Sequence, residues 1–231
     1  MKVITCQVVS LTPLTEFVYK ALLKPSMPVD FSAGQYLNFV MSDEDKRPFS
    51  IASAPGAELI ELQIGASGLD SYPMQVIEHI KANTEVTIEM PFGNAQLREE
   101  SERPLLLIAG GTGFSYIKSM FEYLALKHSQ REVIVYWGLR DSNACYELDQ
   151  TATIINTLSN GKFIPVIEAP NTDWQGRSGM VHKAVMEDVK NLADYDIYLA
   201  GRFEMVAAVR GDFVEQGALI EQMYADAFAF I

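Results

Sequence analysis

The apolar residues of this chain change rhythm once, close to residue 100, and that change limits the folds open to it. Before it, short alternating stretches at 3–11, 17–23, 36–41, 49–52, 59–64 and 85–90 are punctuated by Pro25-Ser26, Ala33-Gly34, Ser42-Asp43 and Ala54-Pro55-Gly56. Period-2 alternation between turn residues predicts strands. Only 71–81 departs from it, where Met74, Val76, Ile77 and Ile80 are spaced as on a helix. Six short strands and one helix predict a closed or nearly closed antiparallel barrel. Beyond Pro104 the pattern becomes strand then helix. Leu105-Leu106-Leu107-Ile108-Ala109 is apolar without a break, as a strand covered on both faces must be. Ile117, Met120, Phe121 and Leu124 follow at helical spacing. Strands at 133–137, 163–168 and 196–200 then alternate with helices at 146–158, 180–189 and 204–215, and a last strand is expected at 225–230. This alternation predicts a mostly parallel, Rossmann-like sheet with helices on both faces. The join falls at 97–103, where Arg98-Glu99-Glu100-Ser101-Glu102-Arg103 reads as a charged, solvated linker, giving domains 1–98 and 103–231.

Charge narrows the partners. Eighteen basic against thirty acidic residues leave a net charge of −12, which disfavours nucleic acid and an anionic membrane surface. A local backbone dipole can still hold an anionic cofactor. No apolar run approaches the ~18 residues of a membrane span. The start Met1-Lys2-Val3-Ile4-Thr5-Cys6 alternates like a strand and lacks the parts of a signal peptide, so a cytoplasmic protein is expected. Two cysteines, Cys6 and Cys145, are expected to be reduced and partly buried. His79, His128 and His182 have no metal-ligand spacing and are read as surface or helix-face residues; no metal site is expected.

Three stretches carry chemistry. Gly110-Gly111-Thr112-Gly113-Phe114-Ser115 follows the buried strand and opens a helix. Its glycines let backbone amides approach an anion, and the C-terminal edge of a parallel sheet is where such folds place ligands. It is neither the dinucleotide fingerprint, since Tyr116 stands where the third glycine belongs, nor a P-loop, and the same spacing suits a plain tight turn. Ala200-Gly201-Arg202-Phe203-Glu204-Met205 is a second glycine-bearing strand end, and two such ends define a crevice. In the first half, Arg47-Pro48-Phe49-Ser50-Ile51-Ala52-Ser53 alternates after a proline that disfavours helix at Arg47. Its small face, with the Ser50 hydroxyl, could admit a flat ligand, and an ordinary strand start fits it as well.

Taken together and in order, these segments resemble the bacterial NAD(P)H–flavin oxidoreductases of the Fre type, within the ferredoxin–NADP reductase superfamily. The resemblance runs over the whole chain and includes Ala33-Gly34-Gln35-Tyr36, Ile64-Gly65-Ala66, Tyr136-Trp137-Gly138, Asp173-Trp174-Gln175-Gly176 and the tail Asp226-Ala227-Phe228-Ala229-Phe230-Ile231. It implies a six-stranded flavin-binding barrel followed by a nicotinamide-nucleotide domain. The implied reaction is hydride transfer from NADH or NADPH to riboflavin, FMN or FAD, with the flavin leaving as reduced product for an acceptor enzyme. By position, Arg47, Pro48, Phe49 and Ser50 would line the flavin ring, with Ser50 as the catalytic hydrogen-bond donor. Gly110, Gly111, Thr112, Gly113, Phe114 and Ser115 would hold the nucleotide. Gly201, Arg202, Phe203, Glu204 and Met205 would close the nicotinamide pocket. Phe228 or Phe230 would stand beside the flavin. The chain departs from superfamily members with tightly bound FAD: Phe49 replaces a tyrosine, Ala200 a cysteine, and Ile64-Gly65-Ala66-Ser67-Gly68 carries no clear second phosphate motif. Each departure removes a polar contact and favours a flavin held by its ring. Hydride transfer needs the nicotinamide C4 and the flavin N5 within about 3–3.5 Å of each other, so the site is expected between the domains. Two alternatives remain: an electron-transfer reductase with tightly held FAD, and a non-catalytic flavin-binding subunit. Cofactor choice also stays open. Arg140 would welcome a 2′-phosphate and Asp141 would reject one, but the reading favoured for the two is a surface ion pair.

Overall fold

The computed structural model describes residues 1–66 and 71–230. The first sheet comprises β1 (Lys2–Pro13), β2 (Val18–Pro25), β3 (Tyr36–Val40), β4 (Lys46–Ser50), β5 (Ile60–Gly65) and β6 (Glu85–Phe92). Its order is β4-β3-β6-β1-β2-β5, antiparallel throughout. The chain beyond β4 returns to β5, where the Ala52 N–H donates to Glu61 O at 2.8 Å and the Glu61 N–H to Ser53 Oγ at 3.1 Å, closing the sheet into a barrel. Helix α1 (Tyr72–Ala82) buries Val76, Ile77 and Ile80, which join Leu37, Phe39 and Leu62 in one core. That spacing is why the helical segment interrupts the strand pattern. β4 begins three residues before the expected stretch. Pro48 costs no ladder bond there, because β4 pairs only with β3 and its outer edge is open.

The second sheet comprises β7 (Leu105–Gly110), β8 (Val133–Asp141), β9 (Gly161–Ala169), β10 (Arg177–Ser178), β11 (Asp196–Ala200) and β12 (Met223–Tyr224), in the order β10-β9-β8-β7-β11-β12 and all parallel. The helices are α2 (Phe114–Leu126), α3 (Leu148–Ile155), α4 (Val181–Asp188) and α5 (Phe203–Glu215). The unbroken apolar run of β7 splits between two cores. Leu105, Leu107 and Ala109 pack with Phe114, Ile117 and Phe121 of α2, while Leu106 and Ile108 pack with Val185 of α4 and Val206 of α5. Each such side chain contributes roughly 1.5–3 kcal/mol when fully buried, which is why neither face of the strand carries a polar residue.

Three expectations are corrected. The segment expected as a last strand, 225–230, is instead a 3₁₀ turn at Asp226–Ala229 that follows the short β12, because Met223 and Tyr224 pair with Ile197 and Tyr198 and the chain then turns toward the barrel. The charged linker is not merely solvated. The Arg98 N–H donates to the Tyr198 hydroxyl at 2.9 Å, and Arg103 pairs with the fully buried Asp196, which also receives Arg131 at 2.9 Å. His182 is buried on α4 with Nε2 at 3.3 Å from Asp212, whereas His128 is exposed and His79 lies edge-on to Phe39.

Candidate functional site

On the barrel side the site begins at a row of paired residues. Tyr36 registers with Ser50 on one flank and with Phe92 on the other, and the Tyr36 and Phe92 rings stack at 5.6 Å. Ser50 is half-buried, and its hydroxyl has no partner among the described residues. Gly93 continues the row with φ +98°, and a Cβ there would lie 3.2 Å from both carboxylate oxygens of Asp226. The C-terminal segment is thus docked two strands away from Ser50. Burial raises the Asp226 carboxyl, opposed by hydrogen bonds from the backbone of Ala95 and Asn94.

Arg47 is nearly fully buried and turned to other work. Its Nε donates to Asp45 Oδ1 at 2.8 Å and Nη2 to Asp45 Oδ2 at 2.6 Å. Nη1 donates to Tyr72 O and Nη2 to Gln75 Oε1, each at 2.7 Å, and the guanidinium lies 4.5 Å over the Tyr72 ring. The bidentate partner holds Asp45 below the usual carboxylate range and Arg47 above its own. Phe49 is half-buried, with its ring 6.5 Å from that of Tyr72, and Pro48 is exposed.

On the sheet side, β7 ends in a 3₁₀ turn at Gly111–Gly113 that feeds α2 directly. Gly111 has φ +53° with open space where a Cβ would stand. Gly113 allows a close approach of backbones, since a Cβ would sit 2.6 Å from the Ala200 carbonyl carbon and oxygen. The Met205 thioether fills the space that side chains at Gly110 and Gly201 would need, so the two strand ends share one packing residue. Trp137, part of the Tyr136-Trp137-Gly138 segment, pins the turn. Its Nε1–H donates to Gly111 O at 2.9 Å and its ring stacks on Phe114 at 3.8 Å.

The residues present fit an anionic nucleotide. The buried Ser115 Oγ has no hydrogen-bond partner, in the first turn of α2. Buried polar groups are rarely left unmatched, and a helix N-terminus favours negative charge. Thr112 meets the barrel, since a Cβ on Gly65 would lie 2.7 Å from Thr112 Cγ2. At the start of α5, Arg202, Phe203 and Glu204 are exposed. Phe203 packs edge-on against Phe230 at 5.9 Å, and Phe230 is 77% exposed. Phe228 is instead half-buried against the α4–α5 core with the Arg210 guanidinium 4.9 Å over its ring. Ile231, and Ser67 and Gly68 of the stretch read for a second phosphate motif, lie outside the described residues. Arg140 is exposed and makes no ion pair with Asp141 among the described residues, and the Asp141 carboxylate accepts the Asn143 N–H at 2.9 Å.

A closed antiparallel barrel set against a parallel sheet, with glycine strand ends and an orphaned serine at the junction, defines a two-domain nucleotide-dependent oxidoreductase of ferredoxin-reductase architecture. Residues 107–211 match the family model for the oxidoreductase NAD-binding domain. Among solved structures, the ferredoxin reductase of a carbazole 1,9a-dioxygenase superposes with a TM-score of 0.87 at 22% identity, over 98% of this chain and 69% of that one. An Amycolatopsis cytochrome P450 reductase does so at 0.88 and 24%, over 97% and 69%, so both share the fold. The NAD(P)H-flavin reductases of Vibrio harveyi and Aliivibrio fischeri are 46% and 45% identical, each over 99% of both chains. The chain belongs to the NAD(P)H-flavin reductase family. Among the described residues, no helix is long and apolar enough to cross a membrane.

Proposed function

We propose that this chain transfers hydride from NADH or NADPH to riboflavin, FMN or FAD, and that the flavin enters oxidised and leaves reduced as a substrate. The observation that carries the second half is the company Arg47 keeps. Four of its five N–H groups are satisfied by Asp45, Tyr72 and Gln75, so the cation at the barrel edge is not offered to a flavin phosphate. The neighbouring Lys46 is likewise held by Glu89 at 2.6 Å. A flavin is then recognised by its ring, through Ser50, Phe49 and Pro48, and with few anchors it dissociates readily.

The bound nicotinamide and flavin supply hydride donor and acceptor. The chain supplies their alignment and their surroundings. Gly110, Gly111, Thr112, Gly113, Phe114 and Ser115 hold the nucleotide at the α2 N-terminus. Gly201, Arg202, Phe203, Glu204 and Met205 form the facing wall. Ser50 donates its hydroxyl to the charge that develops on the flavin ring. Phe230, exposed beside Phe203, is the tail aromatic that reaches the ring, because Phe228 is committed to the α5 core. The functional division is 1–98 for flavin and 103–231 for nucleotide. The protein acts in the cytoplasm and hands reduced flavin to an acceptor enzyme.

A visible spectrum of the purified protein, followed by NADH and NADPH oxidation with and without riboflavin or FMN, tests this. A colourless protein whose activity saturates in added flavin is expected. A yellow protein that turns over with an external electron acceptor and no added flavin would make FAD a prosthetic group and overturn the released-substrate reading.

A further inference from the structure

Helix α2 has two tasks. Its first turn carries the nucleotide residues, and its flank is bonded to the barrel. The Tyr116 hydroxyl donates to Ala95 O, the Ser119 hydroxyl to Ser53 O at 2.8 Å, and Lys118 Nζ to Glu61 Oε2 at 3.1 Å. Ser53 stands three residues beyond Ser50, on the segment that closes the barrel. One helix therefore joins the glycine turn to the segment that follows the flavin-side serine. At 1.5 Å rise per residue, Gly113 and Ser119 are only about 9 Å apart along it.

The Lys118 bond is the centre of a buried polar network. Lys118 is 3% exposed, and its ammonium also pairs with Glu122 on the same helix at 2.6 Å. Gln63 Nε2 donates to Glu61 Oε1 and to Glu147 Oε2, each at 3.0 Å, and Gln63 Oε1 accepts the Tyr146 hydroxyl at 3.2 Å. Glu147 is held in turn by Lys20 of β2 at 2.6 Å. The network thus runs from α2 through β5 to the residues before α3 and back to the barrel. Attraction to the two carboxylates outweighs burial and keeps Lys118 charged.

Such a network is a poor source of net stability, since desolvating five charged groups offsets most of their attraction. Its distinctive property is direction. The apolar contacts between α2 and Ala33, Ala95 and Leu97 tolerate sliding, whereas hydrogen bonds lose most of their strength when misaligned. We propose that the buried Lys118–Glu61–Gln63 network, together with Ser119, sets the gap between the glycine turn and Ser50. Lys118 is then a positioning residue for the hydride transfer proposed above, on which this inference rests.

Single-turnover kinetics of Lys118→Met in the full chain, at saturating NADH and riboflavin, are the test, with amide hydrogen exchange read in parallel. The transfer rate falls between about 10- and 100-fold, as sub-ångström to ångström misplacement implies, while both KM values stay within about twofold. The deuterium isotope effect from NADH labelled at the transferred position rises. Exchange accelerates at 50–54, 60–65 and 114–122 and nowhere else, and Lys118→Arg restores most of the rate. If Lys118→Met does not fold, Ser119→Ala gives the same signature at about threefold, the worth of one hydrogen bond. An unchanged rate, a raised KM with an unchanged rate, or a loss spread over the whole exchange map and not rescued by arginine would each overturn the proposal. Wild-type protein that fails to reduce flavin sinks the functional reading alone, and the exchange map then decides whether the network holds the interface.

Discussion

Ser50 and Arg47, three residues apart, illustrate what a motif can and cannot convey. The stretch from Arg47 reads as a strand start, whereas β4 ends at Ser50 with Arg47 as its second residue. Their side chains are in opposite situations: the Ser50 hydroxyl has no partner among the described residues, whereas Arg47 is saturated. No pattern in the sequence says that Asp45 would turn back onto Arg47 or that Gln75 of a helix 28 residues away would complete the shell. If Ser50 acts as the proposed donor to the charge developing on the flavin, its replacement by alanine is expected to lower kcat/KM for flavin about 10²-fold. Thermal stability should be nearly unchanged, because no hydrogen bond of the folded chain is lost. Steady-state kinetics beside a melting curve check both halves of that expectation.

Among the elements, the glycine turn was the most legible and the tail the least. An apolar strand running into Gly-Gly-Thr-Gly specifies a tight entry to a helix, and its distinguishing detail is the approach of Gly113 to the Ala200 carbonyl. Gly113→Ala places a methyl group against backbone rather than against a flexible side chain, so β7 and β11 must separate at their ends. The expected outcome is a rise of about 10²-fold in KM for NADH and NADPH with flavin KM little changed, checked by varying each substrate at saturation of the other. The tail misled because Ala225 through Phe230 alternates as a strand would. Its chain instead leaves the sheet after two paired residues, and Asp226 packs against Gly93 of the barrel. That contact is between residues 133 positions apart, and local periodicity carries no trace of it.

For the molecule as a whole, acid sensitivity follows from a group outside the site. Burial is the main cause that lowers the His182 imidazole below its ordinary value, helped by Lys183 and opposed by Asp212. The unfolded chain therefore binds a proton that the folded chain resists, and stability rises with pH through the interval below about 6.5. It is lost as pH falls from about 6.5 to the depressed folded value. His182→Gln removes this dependence, so its melting temperature should decline less steeply than that of the wild type between pH 7 and 5. Asp212 is held below its ordinary value and contributes only at lower pH, while Glu122 and Asp226, both raised by burial, act in the opposite sense and are common to both proteins. Paired melts across the range isolate the histidine.

What the sequence determined by itself is the local and the periodic. The two rhythms, the five helices, the two-faced β7 and the two glycine strand ends follow from spacing and from backbone freedom, which act over a few residues. What only the tertiary structure decided is which polar groups meet. The commitment of Arg47 to Gln75, the pinning of the glycine turn by Trp137, the burial of His182, the docking of Asp226 and the bonding of α2 to β5 through Lys118 and Glu61 join residues distant in the chain. The physical reason is that apolar burial depends on which face a residue presents, which sequence periodicity encodes. A hydrogen bond or ion pair depends on distance and angle between two specific groups, and those exist only once the barrel and the sheet have closed on each other.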